Sequence, residues 1–282
     1  GNTLTIRKFA VKPWTITDFI KTNTISYAGA ALLWTAVQNE ISMVIGGGTA
    51  SGKTSMLNGI ANFFPPNQRI ISIEDTRELK LPKILHWVPM ETRLANPEGK
   101  GEVSMLDLIV NSLRMRPDRI IVGEMRRRAE AEVLFEAMHT GHSVYGTLHA
   151  NNSKEAVDRL TNPPINLPKT LISAIGLIVI QNLNRRLGKR RTFQIAEVQP
   201  NGDPKVLMQY DPKTDRLKYV NQPKIFFEAI ELLTGMSKDD IIKDMSRKIA
   251  IMNVMVEKNV TNIHDIGLIM SKFYRGQSIG DV

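Results

Sequence analysis

Apolar and polar positions along the chain alternate between a period of two and a period near four. Thr3 to Phe9 alternates and predicts a strand, ended by Pro13 and Trp14, after which Thr17 to Ile20 opens a helical turn. Helical spacing follows from Ala28 to Val37, with Leu32, Leu33, Ala36 and Val37 on one side. Ile41 to Ile45 reads as a short buried strand, a glycine-rich loop comes next, and Thr54 to Phe63 reads as a helix stopped before Pro65-Pro66. A second strand is predicted at Arg69 to Glu74. Residues 77–100, interrupted by Pro82, Pro89, Pro97 and Gly99, predict mostly extended loop. A helix at Ser104 to Met115, a strand at Ile120 to Gly123, a helix at Ala129 to His139 and a strand at Ser143 to Leu148 continue the series. Strands alternating with helices in this way predict an α/β fold with a mostly parallel sheet.

Beyond residue 150 the pattern changes. Lys154 to Leu160 reads as helix and Ile175 to Leu183 as a buried strand. Thr192–Val198, Val206–Tyr210 and Leu217–Val220 are separated by Asn201-Gly202-Asp203 and Asp211-Pro212-Lys213, the punctuation of a β-meander. Ser237 and Asp240 form a capping box for a long helix whose Ile241, Met245, Ile249, Met252 and Val256 make one apolar stripe, expected in the core. A last helix is predicted from Ile263 to Tyr274, ended by Gly276. Three regions are expected: 1–24 as a linker or strand from a preceding domain, 25–190 as the α/β core, and 191–282 as the meander with a helical appendage.

Composition narrows the field. With 42% hydrophobic and 23% charged residues the chain has the balance of a globular domain, and apolar runs such as Ile175–Ile180 fall far short of the ~20 residues of a membrane helix. There is no cysteine, which excludes disulfides, thiolate metal sites and cysteine nucleophiles. A cytoplasmic address is expected. The net charge of +9 suits nucleic acid, an anionic membrane face or an acidic partner protein, with basic clusters at Arg126–Arg128 and Arg185–Arg191.

The chemistry begins at GGTASGKT, Gly47 to Thr54. A strand before it and a helix after it fit the phosphate-binding P-loop, in which backbone N–H groups of the loop and helix start converge on phosphate oxygens. Gly47, Gly48, Thr49, Ala50, Ser51, Gly52, Lys53, Thr54 and Ser55 are therefore expected to bind ATP. Lys53 is expected to reach the β- and γ-phosphates and the Thr54 hydroxyl to ligate Mg²⁺. Two acidic sites follow predicted strands, Glu74-Asp75 and Glu124. Gly123 stands where a Walker B strand usually ends in aspartate, so Glu124 is expected to orient and deprotonate the attacking water, while Glu74 and Asp75 support the metal, partly through water. His142 and His149 bracket the strand at 143–148, which brings at least one of them to the nucleotide end of the sheet. His142 is assigned to nucleotide binding and His149 to catalysis; no HExxH spacing supports zinc.

Four segments in order resemble the family of secretion and pilus-motor ATPases, which includes type II and type IV secretion ATPases, type IV pilus motors and archaeal flagellum motors. They are GGTASGKT, ISIEDTRELKLP (Ile71–Pro82), LRMRPDRIIVGEMR (Leu113–Arg126) and TGHSVYGTLHANN (Thr140–Asn152). TIRKF (Thr5–Phe9) and YDPKTDRLKYV (Tyr210–Val220) are most similar to the archaeal branch. The resemblance implies a RecA-like C-terminal ATPase domain of a homo-hexameric motor that hydrolyses ATP with Mg²⁺. It also implies a membrane-embedded platform protein as partner, no nucleic acid, and a peripheral place at the cytoplasmic face of the membrane. Arginines complete such a site, and Arg7, Arg77, Arg93, Arg114, Arg116 and Arg126 stand in or beside the motifs; Arg93 and Arg116 are assigned to catalysis. Two other readings remain open: a RecA-like nucleic-acid translocase, against which stands the lack of aromatic–basic interleaving, and an assembly subunit that binds ATP without turnover.

Overall fold

The computed structural model describes residues 1–6 and 12–278. Residues 7–9 of the first expected strand, Arg7 among them, lie outside them, and residues 3–6 are not in a strand and leave Leu4 and Ile6 exposed. A capping box between Thr15 and Asp18 starts α1 (Ile16–Lys21), and Ser26 caps α2 (Tyr27–Gln38). Strand β1 (Met43–Gly47) and α3 (Lys53–Ala61) flank the glycine loop. Then come β2 (Arg69–Glu74), β3 (His86–Glu91), α4 (Met105–Leu113), β4 (Arg119–Val122), α5 (Arg128–His139) and β5 (Ser143–Leu148). Two helices, α6 (Ser153–Thr161) and the short α7 (Lys169–Ile172), precede β6 (Leu177–Asn184). The chain continues through β7 (Lys189–Val198), β8 (Pro204–Asp211) and β9 (Arg216–Tyr219) into α8 (Ile225–Thr234), α9 (Lys238–Glu257) and α10 (Ile263–Tyr274).

The strands form one nine-stranded sheet in the order β3-β2-β4-β5-β1-β6-β7-β8-β9. From β3 to β6 neighbours run parallel, and from β6 to β9 antiparallel. The expected boundary at residues 190/191 falls inside β7, which pairs with β6 on both sides of it, so the meander extends the core sheet. Strands of the parallel half are buried on both faces, and alternate side chains sort accordingly. Met43, Ile45, Ile70, Ile121 and Val179 join the core under α1, α2, α3, α9 and α10; Val44, Ile71, Val122 and Ile178 join the core under α4, α5 and α6.

Strand β3 corrects the loop expected over 77–100. It is an edge strand, Pro89 lies opposite Ser72 in its register, and its residues are at most half-buried. Proline is tolerated at an edge because no neighbour needs its missing N–H, and that same proline hides the strand from a sequence reading. The stripe on α9 is core as expected at Ile241, Met245 and Met252, with Ile249 and Val256 half-buried against it.

The first residue of β4 supplies an internal polar tie. Arg119 is fully buried; its guanidinium donates to the Val37 carbonyl (2.7 Å), to Gln68 and to the Tyr145 hydroxyl, and lies 4.9 Å over the Phe64 ring. It fastens α2 to β4 and β5. Arg119→Ala removes one of the donors to the Val37 carbonyl, together with the bonds to Gln68 and Tyr145, and opens a cavity, so urea unfolding should show a loss of about 3–5 kcal/mol.

Candidate functional site

The phosphate loop is set by how closely β1 lies against β6. A Cβ on Gly47 would sit 2.3 Å from Ser51 Oγ and 2.7 Å from the Gln181 carbonyl, so only glycine fits at the end of β1. Gly52, at φ 96°, turns the chain into α3 without a side-chain cap, which leaves the first N–H groups of that helix for a ligand. Ser51 Oγ is buried without a partner. Lys53 Nζ donates to the Gly47 and Gly48 carbonyls at 2.9 and 3.2 Å and lies 3.4 Å from His149 Nδ1. Burial lowers the Lys53 pKa, and nearby Glu124 opposes that shift. From β7, Arg190 Nε donates to the Ala50 carbonyl at 2.9 Å, which lays a second cation over the loop.

The acidic groups come from the C-terminal ends of β2 and β4, neighbours in the sheet. Glu74 is 3% exposed; Oε1 accepts from the N–H groups of Glu78 (3.0 Å) and Leu79 (3.1 Å), while Oε2 is buried without a partner. Burial raises its pKa despite those two donors. Glu124 is held by backbone bonds on each side: Gly123 N donates to Ile73 O (2.8 Å) and Met125 N to Thr147 O (2.9 Å). Thr147 Oγ1 adds a bond to the Gly123 carbonyl. The Glu124 carboxylate is then shared, with His149 Nε2 3.1 Å from Oε1 and Arg126 at 2.5 and 2.8 Å from Oε2. Arg126 also donates to Asp75 Oδ2 at 2.7 Å, and its pKa is raised, first by the bond to Glu124. His149 faces the Lys53 ammonium with Nδ1 and a carboxylate with Nε2, which selects the tautomer carrying its proton on Nε2.

Thr49 to Ser55, Glu74, Asp75, Glu124, Arg126 and His149 all line one cleft of about 1070 Å³. Its two partnerless buried oxygens, Ser51 Oγ and Glu74 Oε2, and the glycines at 47, 48 and 52 of its loop fit a phosphate chain with a hard divalent cation such as Mg²⁺.

Three expected residues are not brought to this cleft. His142 stands before β5, at the opposite end of that strand from His149, with Nδ1 beside the Ala137 carbonyl (3.3 Å). Only one histidine can reach the site, because a strand separates the pair by its whole length. Arg116 is exposed in the turn between α4 and β4, again at the far end of the sheet. Arg93 bridges to Val103 and donates Nε to the Gly101 carbonyl at 2.6 Å. Of the other motif arginines among the described residues, Arg126 is the one that lines the cleft; Arg77 lies over the Trp87 ring instead. Arg190 and Thr147 also line the cleft. Arg190 sits in a basic cluster that reads as surface, and only the pairing of β6 with β1 carries it over the loop.

Burial raises the Glu74 carboxyl above its ordinary value, so the folded chain keeps this proton at a pH where the unfolded chain has lost it. The group therefore stabilises most in acid, and its contribution falls as pH rises from 4.5 through the folded value. Glu74→Gln should raise the melting temperature at pH 8 by a few degrees, with the difference shrinking toward pH 4.5. Thermal scans across pH check this.

The family described as Type II/IV secretion system protein matches residues 1–262. An uncharacterised protein of Methanocaldococcus jannaschii is 35% identical over 285 aligned positions, covering 97% of this chain and 51% of that protein. A putative conjugal transfer protein of Mycobacterium tuberculosis is 34% identical over 203 positions, 70% of this chain and 57% of its own length. The chain thus spans about half the length of these relatives. Among solved structures, the pilus retraction motor PilT with bound ADP aligns at a TM-score of 0.53 and 20% identity, over 98% of this chain and 67% of that one. The VirB11 ATPase of the Brucella suis type IV secretion system, in complex with sulphate, aligns at 0.51 and 24%, over 70% and 66%. These two share the fold: the mostly parallel α/β sheet expected from the strand–helix alternation, in the RecA-like form that the family resemblance implies. By the extent of the family match and the identity to its relatives, the chain belongs to the type II/IV secretion system protein family.

Proposed function

We propose that this chain is a Mg²⁺-dependent ATPase that works within a homo-hexameric motor, driving assembly of a type IV pilus, an archaeal flagellum or a type II/IV secretion machine. The observation that carries the reading is the line Lys53–His149–Glu124–Arg126–Asp75, which joins the ends of β1, β5, β4 and β2 across one cleft. It sets a cation for phosphate beside a carboxylate for water.

In this reading the loop N–H groups and Lys53 bind the β- and γ-phosphates, while Thr54, Glu74 and Asp75 hold Mg²⁺, partly through water. Bound Mg²⁺ supplies neutralisation of phosphate charge. Glu124, oriented by the Nε2–H of His149, positions the attacking water and takes its proton. Arg126 is placed to exchange a carboxylate partner for a phosphate oxygen, which frees Glu124 when nucleotide arrives. Domain closure around ATP, released after hydrolysis, transmits force to a membrane-embedded platform protein from the cytoplasmic face. The +9 net charge suits an acidic face on that partner. No helix among the described residues is long and apolar enough to cross a membrane.

Steady ATP turnover by the chain should fall about 10²–10⁴-fold in Glu124→Gln, with ADP affinity kept. Lys53→Ala should lose nucleotide affinity as well as turnover. Equal rates for wild type and Glu124→Gln would remove Glu124 as the base. Stimulation of turnover by DNA would favour a translocase instead.

A further inference from the structure

The cleft has two walls of different chemistry. One carries the phosphate loop and the carboxylates; the other is built from the segment around α1 and the start of β7. In that second wall Trp14 is stacked on Phe19, with ring centroids 5.8 Å apart and planes 16° from parallel. Phe19 is buried, but Trp14 remains 46% exposed at the rim of a cleft built mostly from polar groups. An indole packed on one face, with so much surface still accessible, is a platform without a load.

The stack is fixed relative to the phosphate loop. Phe19 lies against α3, where a Cβ on Gly59 would be 2.7 Å from its ring. Gly59 is six residues along that helix from Lys53, about 9 Å at 1.5 Å per residue. The backbone beside Trp14 is anchored too: Ile16 N donates to Asn62 Oδ1 at 3.3 Å, and Thr15 is locked in its capping box with Asp18. Across the wall, Thr192 N donates to the Thr24 carbonyl at 2.7 Å, which ties the α1 segment to the strand that carries Arg190. Phosphate loop, guanidinium and indole therefore follow one another around a single cleft.

The hydroxyls on this wall are engaged with the protein itself. Thr22 Oγ1 donates to the Asp18 carbonyl at 2.9 Å and lies 2.9 Å from Thr24 Oγ1. Contact with the face of a flat ring is thus what the wall offers, and stacking of a base on an aromatic side chain tolerates any base.

We infer that Trp14 is the stacking platform for the nucleobase of the bound nucleotide, an inference that rests on the nucleotide reading above. The phosphates lie at Lys53, Arg190 borders the middle of the molecule, and the base covers the open face of the indole.

The test separates base from phosphates. Affinities of the full chain for ADP and for inorganic tripolyphosphate are measured by calorimetry for wild type, Trp14→Phe and Trp14→Ala. Trp14→Ala should bind ADP about 10-fold more weakly than wild type while binding tripolyphosphate equally well. Trp14→Phe should stay close to wild type for both. ADP should also quench tryptophan emission in wild type, since Trp34 is fully buried and Trp14 is the indole facing the cleft. Unchanged ADP affinity in Trp14→Ala overturns the platform and leaves the nucleotide reading standing, as does an equal loss of both ligands. Failure of wild type to bind either ligand overturns the nucleotide reading and the platform with it.

Discussion

Gly47 has room for a hydrogen and nothing more, and the site depends on that. Its Cα lies where Ser51 Oγ and the Gln181 carbonyl leave no space for a side chain. The loop can fold back over β1 only because the strand ends without a Cβ there. From that approach follow the turn at Gly52, the free N–H groups at the start of α3 and the position of Lys53. The same approach pairs Gly47 with Gln181 on β6, and β6 carries β7 with Arg190 back over the loop. One backbone contact thus brings two cations, Lys53 and Arg190, to the same loop.

Charge in the cleft is arranged as a relay of partners. Glu124 is shared between a histidine and an arginine, the arginine is shared with Asp75, and the histidine faces the lysine. Each group satisfies its neighbour without a ligand, which keeps a cluster of charges stable at a half-buried site. Each is also bound to groups that an incoming triphosphate would compete for. Glu74 stands apart, since desolvation raises its pKa and one of its oxygens has no partner. A buried carboxylate left in this state costs stability, and such costs are concentrated at functional sites because a ligand relieves them.

The parallel half of the sheet makes this geometry possible. Loops after β1, β2, β4 and β5 all emerge at the same end, so residues far apart in sequence meet within one cleft. The antiparallel half contributes the opposite wall through β7, while Arg119, buried beneath, ties α2 to the strands whose tips carry Glu124 and His149.

The local elements were legible in the sequence because each is written in contiguous residues. The strand–loop–helix around GGTASGKT, the limits of β2, β5 and α10, and the capping box of α9 depend on neighbours within a few positions. The acids Glu74 and Glu124 could be chosen because parallel strands deliver their C-terminal ends to one side. What the sequence could not order were long side chains and sheet edges. Arg93, Arg116 and Arg126 all stand in or beside motif segments, yet only the last turns toward the cleft, since β4 pairs with β2 and sets Asp75 within its reach. His142 and His149 belong to one motif, but the length of β5 holds them at opposite ends of the sheet. Trp14, Arg190 and Thr147 carried no local signal of a role. Their places follow from pairings and packings between separate segments, such as Phe19 with Gly59, Gly47 with Gln181 and Thr24 with Thr192. Sequence determined which groups could do chemistry, through residue type and local period; tertiary structure decided which of them share a cleft, because register and close packing act between segments that no local pattern connects.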